Sequence, residues 1–200
     1  MAKKTNILLT GVGGQGVITA ANILGKAAVA ADVPVFVSEV HGMAQRGGAV
    51  NCTVRIGDVS GPLLASGTAD VIVSMEPIEV LRNISYAHQH TKIITEINPV
   101  IPFTVTVGGQ QYPDVATVLH EIESKTDLIK INALQIAKDS GAVITRNIVM
   151  LGALAASNIL PFDHSILLDT ILATIPPKYQ DINKKAFQGG MTAYKKSATP

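Results

Sequence analysis

The sequence predicts an α/β protein with a doubly wound, mostly parallel sheet and a helical C-terminal portion. Three observations predict it. Of the 200 residues, 47% are hydrophobic but only 4% aromatic, with no Trp. The core must therefore be built from Val, Ile, Leu and Ala, which suits parallel strands buried on both faces. Short apolar runs recur in front of Ala-, Ile- and Leu-rich stretches of helical length. Beyond Asn147 every segment reads as helical.

Asn6 to Thr10 is an apolar run ending at a glycine cluster, a buried strand. Val17 to Ala31 has few breakers and reads as a helix, which Asp32 and Pro34 punctuate. Val35 to Ser38 is a second strand, and Glu39 to Gly48 a polar, glycine-bearing loop. Ala49 to Ile56 alternates, with Val50, Cys52, Val54 and Ile56 on one face, and reads as a third strand. Gly57-Asp58 is a turn signal. A fourth strand at Val71 to Met75 leads to a helix at Ile78 to Tyr86, and Ile93 to Thr95 is a fifth. Pro99 to Pro113 carries three prolines and the pair Gly108-Gly109; it reads as an excursion from the sheet with a strand at Thr104 to Val107. Helix at Val115 to Lys125, strand at Leu128 to Ile131 and helix at Ala133 to Asp139 follow. Helices at Ile148 to Ile159, Ser165 to Ala173 and Lys184 to Lys195 then pack back on the sheet. With no internal repeat and no long linker, residues 1–200 read as one domain.

The formal net charge of +1 points to neither nucleic acid nor an anionic membrane surface. Lys178, Lys184, Lys185, Lys195 and Lys196 read as a solvated face. The lone cysteine, Cys52, reads as a small core residue, since one cysteine makes no intrachain disulfide, multi-thiolate zinc site or ferredoxin-type cluster. A reducing cytoplasm is the expected compartment. The apolar run before Gly11 is too short for a signal-peptide core. The longest apolar stretch, Ile148 to Leu160, falls short of the ~18 residues of a membrane span.

Gly11-Val12-Gly13-Gly14-Gln15-Gly16 follows a predicted strand and opens a predicted helix, the context that gives G-x-G-x-x-G its meaning. In that reading Gly11 permits the tight turn, Gly13 lets a ligand approach the backbone, and Gly16 lets helix pack on strand. The helix N-terminus then faces the carboxyl edge of the strand, where an anion is welcome. A structural turn without ligand is the bland alternative. A dinucleotide is the obvious ligand, and it wants an acid at the end of the second strand. Glu39 stands there, 23 residues after Gly16 (39 − 16), against roughly 20 expected. Against a dinucleotide stand the extra glycine beside Gln15 and the unusual loop that Glu39 leads.

That loop, Glu39 through His41 and Gln45 to Arg46-Gly47-Gly48, is expected at the carboxyl edge beside the first. Arg46 with two glycines presents a planar fork next to exposed amides, suited to phosphate or carboxylate. A solvated loop with Arg46 paired to Glu39 is the alternative, and for His41 a structural imidazole weighs as much as catalysis. Neither loop supplies a nucleophile and base, so no catalytic residue is assigned.

At these residues the sequence resembles the gamma subunit, or gamma domain, of the 2-oxoacid:ferredoxin oxidoreductases. The G-V-G-G-Q-G loop and the Glu-led loop ending Arg-Gly-Gly match the two loops of that family. The wording H-G-M-A-Q-R-G-G looks like the indolepyruvate type, since pyruvate-type members usually carry an aromatic-Gly element and an acid before the Arg. Gly61-Pro62, Ala69-Asp70, Asn147 to Gly152 and Asn183 to Phe187 match further family segments; Pro99 to Pro113 does not.

The resemblance implies a Rossmann-like gamma domain within a complex that oxidatively decarboxylates arylpyruvates to aryl-acetyl-CoA. Thiamine diphosphate, Mg2+ and iron–sulfur clusters would reside in a large alpha subunit, ferredoxin would accept the electrons, and coenzyme A would be the co-substrate. The cofactor edge would comprise Gly11, Gly13, Gly14, Gln15, Gly16, Glu39, His41, Gln45, Arg46, Gly47, Gly48 and Asn147. No cofactor is expected on this chain alone, and the isolated chain is expected to be inactive. It is also expected to pair with itself or to leave bare an apolar patch at Val12, Val17, Met43 and Met191. The alternatives are a gamma subunit for another 2-oxoacid, a stand-alone NAD(P) oxidoreductase with Glu39 on the ribose, and a non-catalytic interaction module.

Overall fold

The computed structural model describes residues 4–41, 48–101 and 111–198. The predicted strand at Thr104 to Val107 lies outside them, as do Met43, Gln45, Arg46, Gly47 and the side chain of His41.

Among the described residues six strands form one sheet: β1 (Thr5–Val12), β2 (Val35–His41), β3 (Ala49–Ile56), β4 (Val71–Ser74), β5 (Lys92–Glu96) and β6 (Asp127–Ile131), in the order β2-β3-β1-β4-β5-β6. β1, β4, β5 and β6 are parallel neighbours, as expected. β3 is not parallel: it runs against both β1 and β2. The cause is connection length. Seven residues separate His41 from Ala49 (49 − 41 − 1); a parallel crossover needs a dozen or more. The alternating exposure along β3 is the signature of such a strand, with Val50, Cys52, Val54 and Ile56 buried and the residues between them partly open. β2 also runs further than its apolar stretch. Glu39 pairs with Cys52 and His41 with Val50, so the polar loop begins after His41.

Among the described residues seven α-helices cover the sheet: α1 (Val17–Ala30), α2 (Pro77–Arg82), α3 (Val115–Glu123), α4 (Ala133–Ser140), α5 (Arg146–Ala156), α6 (His164–Thr174) and α7 (Gln180–Ser197). One face of the sheet, carrying Ile7, Leu9, Val73, Ile94 and Ile131, packs under α1 and the helices from α4 onward. The other, carrying Leu8, Ile72 and Ile93, packs under α2 and α3 through Val80, Val118 and Ile122. β1 is buried along its whole length because both layers meet over it.

Local chemistry sets the helix ends. Asp114, Asn132 and Asp163 cap α3, α4 and α6 by accepting from backbone N–H groups of the first turn. α2 stops at Arg82, short of the expected Tyr86. The Asn83 amide donates to the Glu79 carbonyl, and the chain tightens into a 3-10 turn at Ile84–Tyr86. α5 and α7 cross at van der Waals contact of their backbones. A Cβ on Gly152 would lie 2.0 Å from the Phe187 carbonyl oxygen, and one on Gly190 would lie 1.9 Å from that of Val149. Glycine is what lets the C-terminal helices lie this close, and it carries α7 back onto the sheet.

Candidate functional site

The carboxyl end of β1, the start of β3 at Val50 and the N-termini of α1 and α5 converge on one cleft of about 1420 Å3. Its floor is the glycine loop from Val12 to Gly16 with Val17. Its opposite wall runs from Gly141 to Ile148, and Thr174, Ile175, Tyr179, Ile182 and Asn183 close the side. Val143, Ile144 and Tyr179 stand exposed at its mouth, Ile144 at 88%.

The glycine loop is held by its own glutamine. Gln15 Oε1 accepts from the Val12 N–H at 2.8 Å, and Gln15 Nε2 donates to the Met75 carbonyl at 2.8 Å, tying the end of β1 to the end of β4. The sequence reading grouped Gln15 with ligand-binding residues; its amide instead braces the loop. Gly11 does not form the turn either. It is still in β1, and a Cβ there would meet Gln15 Oε1 at 2.7 Å and Val17 Cγ2 at 2.9 Å. The turn falls at Gly14 and Gly16, with φ of +96° and +80°, a region that L side chains enter only with strain. Gly16 is the N-cap of α1 and no side chain caps that end, so first-turn N–H groups remain available to a ligand.

The two loops meet as expected. The Gly13 N–H donates to the Gly48 carbonyl at 2.9 Å. The contact is made through the start of β3, because β3 lies between β1 and β2. Glu39 is therefore two strands from β1, roughly 10 Å at ordinary strand spacing, rather than on the strand beside it, where a dinucleotide's ribose partner stands. Asn147, the second residue of α5, comes to the glycine loop from the other side. Its Nδ2 lies 3.4 Å from the Gly16 carbonyl, and a Cβ on Gly16 would strike that nitrogen at 2.7 Å. The site thus joins Gly11 to Gly16, Gly48 and Asn147, and leaves Glu39 apart.

Two features escaped the sequence. Arg146 sits beside Asn147, half-buried in the cleft wall, with no periodic or motif signal to single it out. Below the sheet edge, Glu76 and Glu79 are buried at 0% and 1% exposure. Burial raises both carboxyls above their ordinary value, opposed at Glu76 by the Tyr112 hydroxyl, which donates to it, and at Glu79 by Arg82. Thr10, Asn51 and Asn83 form a closed hydrogen-bonded triangle nearby. These groups fix the β4–α2 turn against β1 and β3. The apolar patch expected at Val12 and Val17 is not bare, since they are 3% and 2% exposed in the cleft floor, and Met191 is packed on the core. Among the described residues no helix is long and apolar enough to cross a membrane.

A mostly parallel α/β sheet with a braced glycine loop at its carboxyl edge is the frame of a ligand-handling or subunit domain, and sequence comparison defines which. The chain belongs to the pyruvate ferredoxin/flavodoxin oxidoreductase family, whose signature matches residues 6–193. It is 41% identical to the indolepyruvate oxidoreductase subunit IorB of Pyrococcus horikoshii, over 96% of this chain and 97% of that one. Solved structures share the fold. The gamma subunit of a keto/oxoacid ferredoxin oxidoreductase from Geobacter sulfurreducens superposes with a TM-score of 0.72 at 23% identity, covering 96% of this chain and 99% of that one. A 2-oxoglutarate:ferredoxin oxidoreductase from Magnetococcus marinus, with 2-oxoglutarate, coenzyme A and succinyl-CoA bound, superposes at 0.74 and 22% identity; it covers all of this chain and 33% of that one.

Proposed function

We propose that residues 1–200 form one gamma-type domain, the non-redox subunit of a cytoplasmic, thiamine-diphosphate-dependent indolepyruvate (arylpyruvate):ferredoxin oxidoreductase. The observation that carries this is the 41% identity to an indolepyruvate oxidoreductase subunit, end to end on both chains.

The division of labour follows from the residues. A cluster needs about four thiolates, and this chain has one cysteine, buried, with its thiol pushed up to about 12 by burial and by Glu39. The single cysteine supports placing the iron–sulfur clusters elsewhere; on this reading they, with thiamine diphosphate and Mg2+, belong to the alpha subunit, which also passes electrons to ferredoxin. This chain contributes the carboxyl edge. The glycine loop, Gly48 and Asn147, together with Gln45, Arg46, Gly47, His41 and Glu39, face the alpha subunit and the coenzyme A that accepts the acyl group. The cleft supports that reading, because it places backbone N–H donors of a helix N-terminus at the floor of an apolar trough. A stand-alone nicotinamide enzyme is disfavoured by the sheet order, which sets Glu39 away from β1.

Co-expression with the alpha subunit followed by an assay of arylpyruvate-dependent ferredoxin or dye reduction tests the proposal. The pair is expected to turn over, and this chain alone to be colourless and inactive with any 2-oxoacid. Turnover by this chain freed of alpha subunit, or a pair active with pyruvate and not with indolepyruvate, would overturn it.

A further inference from the structure

Arg146 is half-buried, and among the described residues it makes no hydrogen bond and no ion pair. Its nitrogens keep access to solvent, since they are not among the buried side-chain atoms left without a partner, so its five donors are free to receive a ligand from the cleft. Glu96 does not take up those donors. Glu96 shares a closed space of about 10 Å3 with Arg146, Gln15 and Met75, but its carboxylate is already engaged. Glu96 Oε1 accepts from the Asn98 N–H and side chain at 2.9 and 2.7 Å, and Oε2 from the Leu134 N–H at 2.8 Å. No ion pair joins Glu96 to Arg146 within 4.0 Å.

The other side of Arg146 faces the cleft. Among the described residues that line it, Arg146 is the one charged side chain, and there is no acid. The rest of the lining is apolar or uncharged, Ile18, Ile144, Ile175 and Ile182 with the glycine loop and Asn147 among it. A single unopposed cation in an acid-free, largely apolar trough selects an anion carried on an apolar body.

Size decides which anion. Ordinary small-molecule pockets enclose ~300–1000 Å3, and this cleft exceeds them at about 1420 Å3. An arylpyruvate would leave most of it empty, whereas an elongated phosphate ester would span it. We propose that Arg146 is the anion-anchoring residue of this cleft and that it holds a phosphoryl group of such an ester. The inference rests on the reading of the cleft as a ligand site and adds to it the residue that sets ligand class.

The test is calorimetric titration of the assembled alpha–gamma pair, without 2-oxoacid, using coenzyme A, inorganic pyrophosphate and indole-3-pyruvate as separate probes. Wild type is expected to bind coenzyme A. Arg146→Gln is expected to weaken it about tenfold or more, the scale of one charge-assisted hydrogen bond. Arg146→Lys should recover part of the loss, since it keeps charge without the fork. Pyrophosphate binding should fall in parallel, and indole-3-pyruvate binding should not change. Circular dichroism of each variant and the yield of assembled pair control for folding. If wild type binds coenzyme A and Arg146→Gln binds it within twofold, the inference falls and the ligand reading of the cleft stands. If wild type binds neither phosphate probe, the ligand reading itself falls. A loss confined to indole-3-pyruvate overturns the assignment to phosphate.

Discussion

Glycine does opposite work in two regions of this molecule. At the crossing of α5 and α7, Gly152 and Gly190 are surrounded, and any added carbon would meet backbone. In the loop between β1 and α1, Gly14 has nothing within 4 Å of where a Cβ would stand, and Gly16 is crowded only by the amide of Asn147. The first pair closes space so that a helical layer can sit on the sheet. The second keeps space open at the edge where a ligand or partner arrives. The same residue type is thus required by packing in one place and by backbone conformation in the other.

Substitutions separate these roles. Gly190→Ala should have the largest effect, because the Val149 carbonyl cannot swing aside as a side chain can. A loss at or above the upper end of the ~1–3 kcal/mol seen for overpacking is expected in urea unfolding. If the variant melts like wild type, the helices have room and the crossing is not backbone-to-backbone. Gly16→Ala should cost less, about 2 kcal/mol, combining strain at positive φ with displacement of the Asn147 amide. Its thermal midpoint should drop while its far-ultraviolet spectrum stays native; an unfolded variant would make Gly16 a packing glycine like Gly190. Gly14→Ala should be mildest, about 1 kcal/mol from backbone strain alone. A Gly14→Ala chain as unstable as Gly190→Ala would erase the contrast between open and closed glycines.

Much of this was legible in the sequence, for reasons that can be named. Strands β1, β4 and β5 are buried on both faces and read as apolar runs, so their positions and parallel direction followed, whereas β6 was legible from Leu128 to Ile131 alone, its Asp127 and Lys130 being exposed at the sheet edge. The glycine loop was legible because a strand, a glycine cluster and a helix stood in sequence. The direction of β3 was legible in principle, since seven residues after His41 leave no room for a crossover, but its alternation alone says only that it is a strand. The ends of β2 and α2 were missed because Glu39 and His41 are polar residues in a paired strand, and because Asn83 competes for a helical carbonyl. Gln15 was misjudged, as a polar residue in a glycine loop looks available until its two bonds are seen. Arg146 was invisible. Its meaning lies in what is absent around it in space, and neighbours across 131 residues of chain, like Gly16 and Asn147, leave no local pattern.

Cys52 has a practical consequence. Burial and the Glu39 charge push its thiol up to about 12, so the thiolate is scarce near neutral pH, and the sulfur is fully buried besides. The native chain is therefore silent toward maleimides and disulfide reagents. A cysteine placed at Ile144, exposed at the cleft mouth, would be the one thiol to react, with no need to remove another. A single fluorophore or spin label there would report, site-specifically, when the trough is occupied.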